Sequence, residues 1–69
     1  MFYTPDIKPE IKDIISRYVF IKLKNSKKKH TIGFYDPRTN TWYDKNSFDK
    51  KTLFKIIPEK NIIKWKYIK

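Results

Sequence analysis

The spacing of apolar positions changes period once along this chain, at Tyr18. Ahead of it, Ile11, Ile14, Ile15 and Tyr18 recur at helical spacing. Pro9 suits the first helical position and Glu10 the positive end of the helix dipole. These signals predict a short helix over 9–17, behind an arm (1–8) in which Pro5 and Pro9 block an earlier start. From Tyr18 to Asn25 the chain alternates: Val19, Ile21 and Leu23 share one face, and Tyr18, Phe20, Lys22 and Lys24 the other. That is the pattern of a half-buried strand. A turn with adjacent Lys27, Lys28 and Lys29 follows, then a second strand from His30 to Tyr35.

The clearest local signal is Asp36-Pro37-Arg38-Thr39-Asn40. Asp starts a turn, Pro presets the next φ angle, and Asn tolerates the left-handed position that closes it. Phe34-Tyr35 before it and Trp42-Tyr43 after it are strong β-formers, so the segment reads as a hairpin. A loop of residues 37–40 sets Tyr35 opposite Trp42 and Phe34 opposite Tyr43. Residues 44–49 read as a polar connection, and Thr52–Ile57 as a fourth strand, with a helical turn capped by Asp49 as the alternative. After the turn Pro58-Glu59-Lys60-Asn61, a last strand (62–68) puts Ile63, Trp65 and Tyr67 on one face and Lys64 and Lys66 on the other. The expected fold is α+β and mostly β: a short N-terminal helix, then a bent five-stranded antiparallel meander (18–69). A small SH3-like or Sm-like barrel is the leading architecture, since closure removes exposed strand edges.

Composition limits what such a fold can do. At 69 residues the chain forms one domain. Domains of this size bury only about 60% of the surface exposed by the unfolded chain, so the core is marginal. With no cysteine there are no disulfides or thiolate zinc sites, and His30 is the single histidine, so no metal or cofactor is expected. Aromatics, 17% of residues, supply the core with large side chains. No apolar run approaches a membrane span, and the opening Met1-Phe2-Tyr3-Thr4-Pro5-Asp6 does not resemble a signal peptide; a cytosolic setting is expected.

The formal net charge of +10 changes the picture most. It attracts polyanions such as nucleic acid, nucleotides, anionic lipid or an acidic protein face. Only Arg17 and Arg38 among the 17 basic residues are arginine. The excess of Lys, Ile, Asn, Tyr and Phe is also what an AT-rich genome encodes. Catalytic constellations are missing: Ser16, Ser26 and Ser47 have only His30 as a base, and the carboxylates are scattered among lysines. Gly33 is the single glycine, which excludes a Gly-rich phosphate loop. The expectation is therefore a non-enzymatic binding protein. Candidate polyanion contacts are Lys22, Lys24, Lys27, Lys28, Lys29, His30, Arg38, Lys64 and Lys66. Candidate stacking or interface residues are Phe20, Tyr35, Trp42, Tyr43 and Trp65.

From His30 onward the chain resembles a family of short phage- and prophage-encoded proteins known as a domain of unknown function. The residues that carry the resemblance are Gly33-Phe34-Tyr35-Asp36, Trp42-Tyr43-Asp44 and Ile63-Lys64-Trp65-Lys66-Tyr67-Ile68. They correspond to the family's G-Y-Y-D, W-Y-D and H-W-M-P-L-P segments, with a longer stretch at 45–60 and without the terminal prolines. The resemblance implies a mobile-element origin. A fainter likeness to Sm proteins lies in the order Leu23-Lys24-Asn25, Gly33, Asp36 and Asn40. It is a likeness of architecture, and no RNA site is carried over from it.

Three roles fit these observations. The first is a phage or mobile-element accessory protein that engages nucleic acid or a signalling nucleotide through a basic, aromatic β-surface, in counter-defence. The second is a protein-directed inhibitor that docks on an acidic surface or nucleic-acid channel of a host enzyme through Trp42, Tyr43 and Trp65. The third is a structural subunit of a homo-oligomer.

Overall fold

A computed structural model describes residues 1–24 and 27–68; Asn25 and Ser26 of the expected lysine turn, and Lys69, lie outside the described residues. Five antiparallel strands form one sheet: β1 (Val19–Leu23), β2 (His30–Asp36), β3 (Thr41–Asp49), β4 (Leu53–Ile57) and β5 (Ile62–Tyr67). Their spatial order is β4-β3-β2-β1-β5, with a 3-10 turn (Glu59–Asn61) between the last two. The hairpin registers as expected, Tyr35 opposite Trp42 and Phe34 opposite Tyr43. Asn40 takes the left-handed conformation (φ 52°) that closes its loop. Asp36 fixes that turn by accepting a hydrogen bond from the Arg38 backbone N–H at 2.9 Å.

Two expectations are corrected. The protein is all-β: apart from the 3-10 turn, no helix occurs among the described residues. Residues 10–17 instead fold back on themselves. The Arg17 N–H donates to the Glu10 carbonyl at 3.2 Å, the Lys12 N–H donates to that of Ile15 at 3.1 Å, and Ile11 and Ser16 form an isolated bridge. An eight- or nine-residue helix is marginal by itself, and β-branched isoleucines weaken it further. Ser16 has a better partner elsewhere: its N–H donates to the Tyr35 carbonyl at 2.9 Å, and its Oγ accepts the Tyr35 N–H at 2.8 Å. The isoleucine stripe therefore buries little; Ile11 and Ile14 are exposed.

The second correction concerns closure. The sheet is open, with β4 and β5 at its two edges. The free edge of β5 is taken by the N-terminal arm, because Tyr3 and Trp65 exchange backbone hydrogen bonds of 2.7 and 2.9 Å. An edge already paired needs no barrel seam. The expected polar connection at 44–49 belongs to β3, which bulges between Asp44 and Phe48 before pairing with β4. A second irregularity, at Lys22/Leu23 against β5, sets Ile62 opposite Leu23 and turns Ile63 outward, where the sequence placed it with Trp65.

One face of the sheet holds the core: Val19, Ile21, Tyr35, Trp42, Ile57, Ile62 and Trp65. Tyr3 stacks on Trp65 (ring centroids 4.7 Å apart), and Trp65 meets Trp42 at 6.2 Å. Both indole N–H groups are satisfied, that of Trp65 by the Ile7 carbonyl at 2.8 Å and that of Trp42 by Glu59 Oε1 at 3.2 Å. The arm thus packs over the core aromatics. Lys8 secures it by pairing with Glu59 and lying over the rings of Tyr35 and Trp42, at 5.4 and 5.7 Å. Among the described residues no helix is long and apolar enough to cross a membrane.

Candidate polyanion interface

Strand alternation sends Val19 and Ile21 into the core, so Phe20 and Lys22 point to the opposite, outer face. Pairing then sets their neighbours. Phe20 lies opposite Lys66 on β5 and Ile32 on β2, and Lys22 lies opposite Lys64 and His30. Three lysines, a histidine and a phenylalanine from three strands thereby share one patch. Phe2, projecting from the arm on the side opposite Tyr3, completes it. Phe2 meets Phe20 edge-on at 6.3 Å, and Phe20 stacks on His30 at 5.2 Å with 29° between the rings. The Lys64 ammonium sits 4.2 Å from the Phe2 centroid, and that of Lys66 lies 5.1 Å from Phe2 and 5.5 Å from Phe20.

A second aromatic group continues across the same face. Phe34 stacks on Tyr43 at 5.4 Å, meets Phe54 edge-on at 5.3 Å and approaches Tyr18 at 6.0 Å. Lys45 covers Tyr18 at 5.3 Å. Phe34 is buried in this layer, whereas Tyr18 is 47% exposed and Tyr43 half-buried.

Four of the seven acidic side chains are committed to ion pairs elsewhere. Glu10 pairs with Arg17, Asp36 with Arg38, Asp44 with Lys28 and Glu59 with Lys8. The Arg38 guanidinium, bonded to Asp36 at 2.9 and 3.1 Å, holds that carboxyl below its usual range. Burial pushes the Asp44 carboxyl up. Hydrogen bonds from Thr31, Lys28, the Asn46 N–H and Ser47 outweigh it, so its pKa is also lowered. Glu59 is lowered by hydrogen bonds from Lys8 and Trp42. Among the described residues no ion pair reaches Lys22, Lys64 or Lys66, so the outer patch keeps its positive charge.

The candidate residues read from the sequence therefore separate into groups. Lys22, His30, Lys64, Lys66 and Phe20 come together on the outer face. Lys24, Lys27 and Lys28 line a cavity at the end of the sheet, and Lys29 is an exposed turn residue whose carbonyl accepts the Leu23 N–H at 2.8 Å. Arg38 sits at the other end of β2, tied to Asp36, and does not join them. Tyr35, Trp42 and Trp65 are core residues, 6%, 1% and 1% exposed, and offer neither a stacking platform nor an interface anchor. Tyr43 belongs to the outer aromatic layer. Phe2 was missed. Its signal was present in the alternation of Phe2 and Tyr3, which becomes informative only once the arm pairs with β5.

No protein-family model matches the chain, and no curated protein or solved structure resembles it to a significant degree.

Proposed function

We propose that this chain is a non-enzymatic binding protein that holds single-stranded nucleic acid against the outer face of its sheet. The observation that carries this reading is the registered patch of Lys22, Lys64 and Lys66 around Phe2, Phe20 and His30, with no ion pair to a carboxylate among the described residues. The ammonium groups neutralise backbone phosphates, while the edges and faces of Phe20 and His30 receive an unpaired base. Lysine is a flexible point charge without arginine's rigid planar fork, so binding is expected to be tolerant of sequence. A duplex keeps its bases stacked inside and gains only the phosphate term. A phage setting rests on the resemblance in residues 30–68 alone.

The test is fluorescence anisotropy with labelled single-stranded DNA, RNA and duplex, on the wild type and on Phe20→Ala. Loss of one stacked base costs about 1–3 kcal/mol, or roughly 5- to 150-fold in affinity. The single strands are expected to bind more tightly than duplex and to lose that factor in the variant, with its fold checked by melting. Equal affinity of wild type and folded variant would overturn the assignment of Phe20.

A further inference from the structure

Away from the outer patch, the end of β1, Lys27 and Lys28 ahead of β2, the β3 bulge, β4 and the 3-10 turn line a half-open cavity of about 280 Å³. Lys24, Lys27, Lys28 and Lys55 line it, with one carboxylate, Asp44, among them. Asp44 is buried and its oxygens are fully engaged. Oδ1 accepts from Thr31 Oγ1 at 2.6 Å and the Asn46 N–H at 2.9 Å, and Oδ2 accepts from Lys28 Nζ at 2.9 Å and Ser47 Oγ at 3.1 Å. The carboxylate thus balances Lys28 and positions it at the wall. Among the described residues, Lys24, Lys27 and Lys55 have no acidic partner. Four ammonium groups against one carboxylate leave three charges for a ligand to balance.

The rest of the lining mixes the apolar side chains of Leu23, Ile57 and Pro58 with the polar Ser47 and Asn61. A lining that combines lysines with apolar side chains fits a ligand with a compact anionic head and an uncharged body. The space exceeds that needed by inorganic phosphate and approaches the lower end of small-molecule sites, about 300 Å³. We infer that this cavity binds an organic phosphate monoester of nucleotide size, its phosphate toward Lys24, Lys27 and Lys55 and its nucleoside against Leu23 and Pro58. A monoester carries about −1.5 to −2 charges at neutral pH, which matches the uncompensated lysines better than the single charge of a phosphodiester. A terminal phosphate on a nucleic-acid strand and a free nucleotide present the same chemistry. The inference stands apart from the outer-face reading, since the two sites share no residue.

Calorimetric titration with AMP, adenosine and inorganic phosphate tests it, on the wild type, on Lys27→Gln/Lys55→Gln and on the outer-face variant Lys66→Glu. AMP is expected to bind more tightly than adenosine or phosphate. It should lose about tenfold or more in the pocket variant, since bonds to charged groups are the strong ones. Retention of AMP binding by Lys66→Glu supports an independent pocket, even if strand binding is absent in every protein. Oligonucleotides with a 5′-phosphate or a 5′-hydroxyl separate the sources: a preference for the phosphate assigns the pocket to strand ends, and AMP binding without that preference assigns it to free nucleotides. Adenosine binding as tightly as AMP, or AMP affinity unchanged in a folded pocket variant, would overturn the inference.

Discussion

Gly33→Ala is the smallest change that tests the packing of this sheet. Gly33 lies on the core face, opposite Val19 on one side and Asp44 on the other. A β-carbon there would fall 2.8 Å from Ile21 Cδ1 and closer still to the Tyr43 carbonyl oxygen. The first neighbour can rotate. The second is backbone, held in the β2–β3 ladder, so relief requires the strands to separate. Two effects oppose each other. Gly33 has no positive φ, so alanine suits its backbone and gains about 0.4–1 kcal/mol by restricting the unfolded chain. Overpacking against fixed atoms costs about 1–3 kcal/mol or more. The clash therefore wins, with a net loss of about 1–2 kcal/mol. For 69 residues the total stability is about 3–10 kcal/mol, so the loss is a sizeable share. Thermal melting followed by circular dichroism should show Tm falling by about 4–8 °C per kcal/mol. An unchanged or raised Tm would refute the close β2–β3 approach and the register that creates it.

The core assignment predicts that Trp65→Ala, at about 3–5 kcal/mol, removes about a third or more of the stability, whereas Lys22→Ala leaves the urea midpoint nearly unchanged. Leu53, largely exposed, occupies a left-handed backbone conformation (φ 71°) that a branched side chain tolerates poorly. Leu53→Asn should therefore raise stability by about 0.5–1 kcal/mol in urea denaturation. Asp44 has a folded-state pKa below its ordinary value of 3.8. Its contribution is complete above that value and declines as pH falls through the lower folded-state pKa. Acid titration of stability should show the decline below about pH 4, and Asp44→Ala should flatten it. That variant also loses about 1–3 kcal/mol at neutral pH, where the buried Thr31 hydroxyl is deprived of its strongest acceptor.

The parts legible in the sequence were those fixed by local chemistry. Asp36 to Asn40 specify a turn whatever surrounds them, and the Tyr35–Trp42 register follows from its length. Alternation in β1 sorted Val19 and Ile21 from Phe20 and Lys22 correctly, and with Lys64 and Lys66 it drew four of the six residues of the outer patch. Tertiary competition decided the rest. The isoleucine spacing of 11–15 describes a helix face, but that face finds nothing to bury against, and Ser16 is captured by the backbone of Tyr35. Both faces of this sheet carry aromatics, so residue type alone did not tell the interior Trp42 and Trp65 from the outer Tyr43. The bulge at Lys22/Leu23 reversed Ile63, a shift that a strict period of two cannot anticipate. Phe2 and the lysine-lined cavity arise from pairings between distant segments and have no local signature.

The central claim is that Lys22, Lys64 and Lys66 neutralise phosphates of a single strand, and the salt dependence of binding tests it most directly. Three contacts give a log–log slope of about −2, at roughly −0.7 per phosphate on single strands. Affinity for a labelled oligonucleotide should therefore fall about 20-fold between 50 and 200 mM salt. Lys66→Gln should reduce the slope to about −1.4. A slope near zero, or one that Lys66→Gln leaves unchanged, would contradict the account.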